Sequence, residues 1–174
     1  MKLRTKIIFV VLAIIIAVFA WAIWKSKNPS GITLVMGEFE LDCPVGWTDA
    51  PGSSGLKGCS APFVGPRTAD YAAVAVRIEA LDKPFAEFVQ EIIKRSNDGE
   101  EPVIESEPYE WKGISGWRLI STHPYADTDE RLIPTRDGKA VFIALLRYQA
   151  SDPETKAEYH SMAEKVFETL RYSK

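Results

Sequence analysis

Cysteine and histidine are scarce in this sequence of 174 residues, which contains two of each. Cys43 and Cys59 form no C-x-x-C motif, and no further Cys or His stands at zinc-ligand spacing, so redox, haem and zinc chemistry lack support. His160 falls on the apolar stripe of a predicted helix and His123 precedes a proline, and we expect both to be structural. The sequence therefore predicts no metal site.

Motifs for enzyme chemistry are absent as well. No serine lies in a G-x-S-x-G motif, the arrangement that exposes the nucleophile of α/β-hydrolases. The stretch Gly52-Ser53-Ser54-Gly55 lacks the lysine and the helix of a phosphate-binding P-loop. We therefore expect neither an enzyme nor a cofactor.

The run Asp127-Thr128-Asp129-Glu130 is a possible cation site. Its side chains could offer oxygens to a hard cation, but the run lacks the third ligand and the glycine of an EF-hand. We interpret it as a solvated loop.

A second acidic stretch contains Glu100, Glu101 and Glu105. It is either a solvated edge or a docking surface for a basic partner. Trp111 and Trp117 follow on either side of a predicted turn. One of them is expected in the core, and the other, if exposed, would be an interface residue, because aromatic side chains are enriched at binding hot spots.

Only one long apolar run occurs, from Ile7 to Trp24. Its eighteen residues carry no charge, and roughly 17–25 residues suffice for a helix to cross a bilayer. More basic charge precedes the run than follows it, which predicts a cytoplasmic N-terminus. We expect a single-pass inner-membrane protein that contacts the bilayer through residues 7–24 and places its domain in the periplasm. A cleaved signal sequence is the alternative, because Ala20-Trp21-Ala22 matches the A-x-A cleavage pattern.

The apolar run also contains a candidate packing seam. Glycine and serine are absent from it, whereas Ala13, Ala17 and Ala20 recur at three- and four-residue spacing. Small residues at that spacing allow close approach of a neighbouring helix. Trp21 and Trp24 lie beside lysines, an arrangement suited to the headgroup zone.

The rest of the chain suffices for one domain. We expect an anchor (or signal) at residues 1–27, a linker at 28–35 and a domain at 36–174. Five of the 21 Lys and Arg residues lie in residues 1–27, which hold no acid, so the remainder carries 16 basic against 24 acidic side chains. This net charge of −8 leaves no electrostatic footprint for nucleic acid.

The cysteine pair predicts a disulfide. Two cysteines at short separation in an oxidising compartment are most simply paired. A bond between Cys43 and Cys59 would close the segment from Pro44 to Gly58.

Periodicity and turn signals predict an α+β domain with a single, mostly antiparallel twisted sheet and helices packed on it. The order of elements is strand, helix, antiparallel meander, helix. The predicted elements are strands at Ile32–Leu41 and Tyr71–Leu81, a helix from Pro84 to about Ser96, strands at Val103–Tyr109, Gly116–His123, Arg131–Pro134 and Lys139–Gln149, and a closing helix opened by a capping box at Ser151–Glu154.

These landmarks together resemble the PsbP-like/DcrB-like α/β/α sandwich family. The resemblance rests on the opening strand into a Pro44-x-Gly46-Trp47 turn, the helix after Pro84, the two glycine hairpins and the closing helix, and it covers about residues 36–172. It implies an α+β sandwich and a largely non-enzymatic role, because members serve as extrinsic photosystem subunits, nuclear-import accessory factors, envelope lipoproteins and membrane-segment chaperones. A membrane span in place of a lipid anchor departs from that pattern.

Two functions are compatible with these features. The first is a single-span accessory subunit whose periplasmic domain docks on a larger membrane protein complex and stabilises or assembles it. The second is a periplasmic module that binds a lipid or a small apolar ligand between sheet and helix. Phe85, Phe88, Trp111 and Trp117 would line such a pocket, although a filled core is the simpler interpretation.

The topology makes a testable prediction. A reporter that is active only in the periplasm, fused after Lys174, should be active, and the intact mass should correspond to a chain beginning at or near Met1. A mass lacking residues 1–22 would identify a cleaved signal, and a silent reporter would contradict the predicted localisation.

Overall fold

The computed structural model describes residues 31–49, 56–61, 70–99, 102–123 and 126–173. Ile32–Lys174 form one compact unit. The predicted span, with Ala13, Ala17, Ala20, Trp21 and Trp24, lies outside the described residues. No helix within the described ranges is long and apolar enough to cross a membrane.

The domain contains ten strands and two helices among the described residues. In chain order they are β1 (Ile32–Met36), β2 (Phe39–Cys43), β3 (Thr48–Asp49), β4 (Lys57–Ser60), β5 (Tyr71–Ala80), α1 (Phe85–Asn97), β6 (Val103–Trp111), β7 (Ile114–His123), β8 (Ala126–Pro134), β9 (Ala140–Gln149), α2 (Pro153–Glu168) and β10 (Arg171–Tyr172).

The strands form two sheets, not the single sheet predicted from the sequence. The larger sheet has seven strands in the order β3-β4-β5-β9-β8-β7-β6, and the smaller has the order β1-β2-β10. The described strand pairs are antiparallel. The prediction of a mostly antiparallel sheet with two helices is therefore confirmed. Both edges of β2 are paired, one with β1 and one with β10, so β2 has no edge left for the larger sheet.

The opening segment is a hairpin, whereas the sequence predicted one continuous strand from Ile32 to Leu41. Gly37 turns the chain with a φ of +56°, at the first central position of a two-residue hairpin turn, where glycine is favoured. A Cβ at this position would lie 2.7 Å from Ile78 Cδ1. Strand β1 of this hairpin overlaps residues 28–35, the segment predicted as a linker.

Two apolar layers cover the two faces of the larger sheet, and alternate side chains of β9 belong to the two layers. Val141 and Ile143 pack towards α1, whereas the alternating Phe142 and Leu146 belong to the cluster formed with α2 and β2. A strand buried on both faces reads as a continuous apolar run. The result is a sandwich in which α1 covers one face, and α2 and the small sheet cover the other.

Each helix begins one residue later than predicted, α1 at Phe85 and α2 at Pro153. α1 starts after Pro84, which makes no side-chain capping bond. The N-cap of α2 is Asp152, not Ser151: its carboxylate accepts a hydrogen bond from the Thr155 N–H at 2.9 Å, with Pro153 in the first turn. Asp152 fills the role because proline at the first helical position fixes where the helix starts.

The predicted disulfide joins the two sheets. Cys43 at the end of β2 is bonded to Cys59 in β4, and both residues are buried. An aromatic contact adds to this junction, since Phe39 of the small sheet lies 4.5 Å from Phe142 of the larger sheet, between ring centroids. The small sheet is thus held to the sandwich by one covalent bond and by core packing.

Replacing both cysteines by serine should lower the free energy of unfolding by on the order of 2–4 kcal/mol, because the open chain regains loop entropy. The fold should persist, since both helices and strands β5 to β9 lie outside the closed segment. Chemical denaturation of the full-length chain measures the change, and reduced wild-type protein is the matched control. Two reactive thiols in unfolded, unreduced protein would contradict the assignment.

Candidate functional site

The β6–β7 hairpin is the candidate functional site, and a two-residue turn sets its geometry. Lys112 and Gly113 have φ values of +49° and +82°, as in a type I′ turn. This turn pairs Trp111 with Ile114 and Pro108 with Trp117. Because side chains alternate between faces, Trp111 and Trp117 lie on opposite sides of the sheet.

The hairpin face towards α2 carries charged side chains that lie against a buried acid. Asp129 of β8 has no solvent exposure. Arg118 Nη2 donates to its Oδ2 at 2.8 Å, and Arg131 Nη2 donates to the same oxygen at 2.9 Å. The Nε atoms of the two guanidinium groups donate to Oδ1 at 3.1 and 3.0 Å. Both carboxylate oxygens are therefore satisfied by cations.

This ion-pair network crosses the sheet from its edge to α2. Arg118 Nη1 donates to Glu107 Oε1 on β6 at 3.0 Å. At the other end, Arg131 pairs with Glu164 of α2, and its guanidinium packs against the rings of Tyr109 and Phe167, 4.8 and 4.9 Å from their centroids. The edge strand, two inner strands and the helix are thus connected by one chain of charges.

Burial alone would raise the pKa of Asp129, but the hydrogen bonds from Arg131 and Arg118 outweigh burial and hold the pKa at about 2. The carboxylate is therefore ionised at neutral pH. The interpretation of residues 127–130 as a solvated loop is wrong, because they lie in β8 and Asp129 points into the protein. Hydrogen bonding to β7 and β9 on both sides overrides the low strand propensity of aspartate.

Asp129, His160 and Glu164 place candidate metal-ligand atoms within 4.8 Å of one another. His160 Nε2 lies 3.5 Å from Asp129 Oδ2 and 3.6 Å from Glu164 Oε1. A cation bound here would face the two guanidinium groups that already occupy Asp129, and like charges repel. The geometry favours a structural ion-pair network over a metal centre.

The opposite face of the hairpin carries an apolar groove of about 200 Å³ between β6, β7 and α1. We call it the apolar groove; it is lined by Phe85, Ala86, Val89, Gln90, Pro108, Ser115, Gly116 and Trp117. Trp117 Nε1 donates to Ser106 Oγ at 2.8 Å, which orients the indole ring. Glycine is required at Gly116, where a Cβ would lie 2.4 Å from the Leu132 carbonyl oxygen.

Only two of the four residues predicted to line a pocket line the apolar groove. Phe85 and Trp117 line it. Phe88 is buried in the core beneath α1, and Trp111 is buried on the α2 face. The prediction of one pocket with both tryptophans is wrong, because the register of the hairpin separates them.

The outer edge of the hairpin is β6, which pairs only with β7 among the described strands. Ile104 is skipped in the β6–β7 register, and its side chain is 65% exposed. Glu105 is exposed beside it, and Glu107 is partly exposed. We call Ile104, Glu105 and Glu107 the acidic edge. Glu100 and Glu101 lie outside the described residues.

Comparisons with known proteins identify the fold. No protein-family model matches the sequence, and no curated protein matches it either. Among solved structures, CyanoP, the PsbP of the cyanobacterium Synechocystis sp. PCC 6803, is similar with a TM-score of 0.56 at 12% identity, over 83% of this chain and 93% of CyanoP. The domain has the PsbP-like fold.

Two further structures share the PsbP-like fold. LpqN of Mycobacterium tuberculosis, which is involved in cell envelope biogenesis, matches with a TM-score of 0.56 at 17% identity, over 88% of this chain and 96% of LpqN. Mog1p of Saccharomyces cerevisiae, a Ran-binding protein, matches with a TM-score of 0.51 at 9% identity, over 82% of this chain and 96% of Mog1p. The resemblance seen in the sequence is therefore confirmed at the level of fold.

The charged group of Arg118, Asp129, Arg131 and Glu164 was not predicted from the sequence. One signal was present, because Asp129 and Arg131 are two residues apart and so share a face of any strand. That signal becomes visible only once residues 126–130 are recognised as a strand. No sequence pattern predicts the exposure of Ile104, because that exposure follows from the irregular pairing of β6 with β7 between Val103 and Glu105.

Replacing Asp129 by asparagine should lower the free energy of unfolding by about 3 kcal/mol, because it leaves two guanidinium groups without a buried counter-charge. Denaturant unfolding measures the change. Asp98→Asn, at an exposed position after α1, is the control and should change stability by less than about 0.5 kcal/mol. Equal effects of the two substitutions would contradict the role of Asp129.

The same carboxylate predicts a pH dependence. Its folded-state pKa of about 2 lies below the ordinary value of 3.8, so its contribution is complete above pH 4 and is lost as the pH falls towards 2. Wild-type protein should lose about 2 kcal/mol more than Asp129→Asn protein across this window. Parallel stability curves for the two proteins between pH 5 and pH 2 would refute the assignment.

Proposed function

We propose that this protein is a non-enzymatic accessory subunit: residues 7–24 span the inner membrane, and the PsbP-like domain docks on a larger membrane protein complex from the periplasmic side. The acidic edge is the observation that carries this proposal. There an exposed isoleucine and two glutamates lie on a strand whose outer side has no partner among the described strands, and an open strand edge can bind a segment of another protein.

Two further features support the proposal. The disulfide between Cys43 and Cys59 suits an oxidising compartment, as the periplasm is. Only seven residues separate Trp24 from Ile32, and an extended chain spans at most about 3.6 Å per residue. So short a tether favours a partner embedded in the same membrane.

The similar structures give the proposal a context. Mog1p binds a protein partner, Ran, and LpqN is involved in cell envelope biogenesis. Neither activity transfers by fold alone, because one fold hosts many functions. For this chain we propose binding of a protein partner, as the Ran-binding protein Mog1p binds Ran.

Purification of the full-length chain in mild detergent, through a tag after Lys174, should yield a partner in stoichiometric amount. A second sample with Ala13, Ala17 and Ala20 all replaced by leucine separates the two contacts: reduced partner recovery would place part of the interface in the span. Recovery of a lone monomer from gently solubilised membranes would contradict the proposal.

The apolar groove favours a second candidate function, binding of an apolar ligand such as a lipid chain. Its volume of about 200 Å³ suits a short acyl segment or one large side chain, because ligand pockets for whole small molecules are usually about 300–1,000 Å³. This limited size ranks ligand carriage below protein docking.

Native mass spectrometry of the purified chain tests ligand carriage. Under this second function a bound apolar molecule should appear with wild-type protein and disappear with Ala86→Phe, which fills the apolar groove. Ala157→Phe, at an exposed position of α2, adds the same volume elsewhere and is the control. A bare polypeptide mass for wild-type protein would reject the carrier function.

A further inference from the structure

The backbone of the acidic edge is open to another strand. Among the described strands β6 has only β7 as a neighbour, so its outer side presents backbone groups that an extended segment can bind. The start of β6 is closed, because the Val103 N–H donates to Asn97 Oδ1 at 2.9 Å. Pro108 has no N–H to offer. Ile104–Glu107 lies between these two positions, and its alternate backbone groups face the outer side of the sheet.

The two faces of this stretch differ in chemistry. Glu105 and Glu107 lie on the α2 face, as the hydrogen bond from Arg118 to Glu107 shows. Ser106 and Pro108 lie on the α1 face, where Ser106 contacts Trp117 and Pro108 lines the apolar groove. A strand added to β6 would place alternate side chains next to carboxylates and next to apolar surface.

Pairing with a second copy of this chain is disfavoured. Two β6 strands side by side would bring glutamates of one copy close to glutamates of the other, and like charges facing each other across strands are destabilising. The remaining occupant is a segment of opposite charge.

We propose that the acidic edge binds an extended segment of a partner protein by strand addition, and that basic side chains alternate with apolar side chains in that segment. The basic side chains face Glu105 and Glu107, and the apolar ones cover Pro108 and reach towards the apolar groove. This inference rests on the proposed function, because it presupposes a protein partner. It deepens that function by stating the chemistry of the contact.

A direct test uses the full-length chain in mild detergent and two fluorescent synthetic peptides of identical composition. One peptide alternates lysine and valine, and the other groups the lysines at one end. Fluorescence anisotropy should show the alternating peptide binding at least about tenfold more tightly, because only its register matches both faces. Hydrogen exchange should slow at Ile104–Glu107 when that peptide is bound.

Two charge reversals on the same strand provide matched variants. Glu105→Lys acts on the α2 face and should weaken binding of the alternating peptide by about tenfold, since like charges across an interface are repulsive. Glu110→Lys makes the same charge change opposite Ser115, on the α1 face, and should weaken binding by less than about threefold. Unchanged thermal unfolding of both variants establishes that they are folded.

Equal affinity for the two peptides, equal loss in the two variants, or absence of binding to either peptide would overturn strand addition. The partner purification described above gives an independent result. A stoichiometric partner that the alternating peptide does not displace rejects strand addition and leaves the accessory function standing. Peptide binding without any co-purifying partner supports strand addition and counts against the membrane complex.

Discussion

Asp129 places a negative charge at a position with no solvent exposure, and the hairpin half of the domain is arranged around it. An isolated buried carboxylate would be very costly, so it must be paired and hydrogen-bonded. Arg118 and Arg131 supply the charge from two neighbouring strands, and Glu107 and Glu164 neutralise the outer ends of those guanidinium groups. One constraint thus fixes the spacing of β6, β7, β8 and α2.

The network also connects the core to the proposed binding surface. Glu107 belongs both to the network and to the acidic edge. Its hydrogen bond from Arg118 therefore fixes the position of its carboxylate in the unbound protein. Preorganised groups lose less conformational entropy on binding than free ones. On the other face, the hydrogen bond from Trp117 to Ser106 orients the wall of the apolar groove in the same way.

Local patterns predicted the parts of the fold that local chemistry determines. Apolar periodicity after Pro84 predicted α1, the turn between Trp111 and Trp117 predicted the hairpin, and the cysteine pair predicted the disulfide. Pairings between distant parts of the chain could not be predicted from local sequence patterns. The separate small sheet depends on the pairing of β2 with β10, which are more than 120 residues apart in the chain, and no periodicity reports such a pairing.

The candidate site was predicted in part, for the same reason. Glu105 is exposed on an edge strand, which is compatible with both predictions for it, a solvated edge and a docking surface. The prediction of one pocket lined by both tryptophans was wrong, because the register of the hairpin places them on opposite faces. Strand character at Asp127–Glu130 comes from hydrogen bonds to two neighbouring strands, a tertiary effect that overrides local propensity. For this reason a strand that carries a buried charge was predicted from the sequence to be a solvated loop.

The central claim is that the partner contacts the acidic edge. Site-specific photo-crosslinking from within the native membrane tests it most directly, with a photoreactive residue placed at Ile104 in one sample and at Val35 in another. Both positions are exposed apolar residues on edge strands, with 65% and 47% of the residue accessible. The account predicts a single cross-linked protein partner from Ile104 and none from Val35. Cross-links from Val35 alone would place the interface on the small sheet and contradict the account.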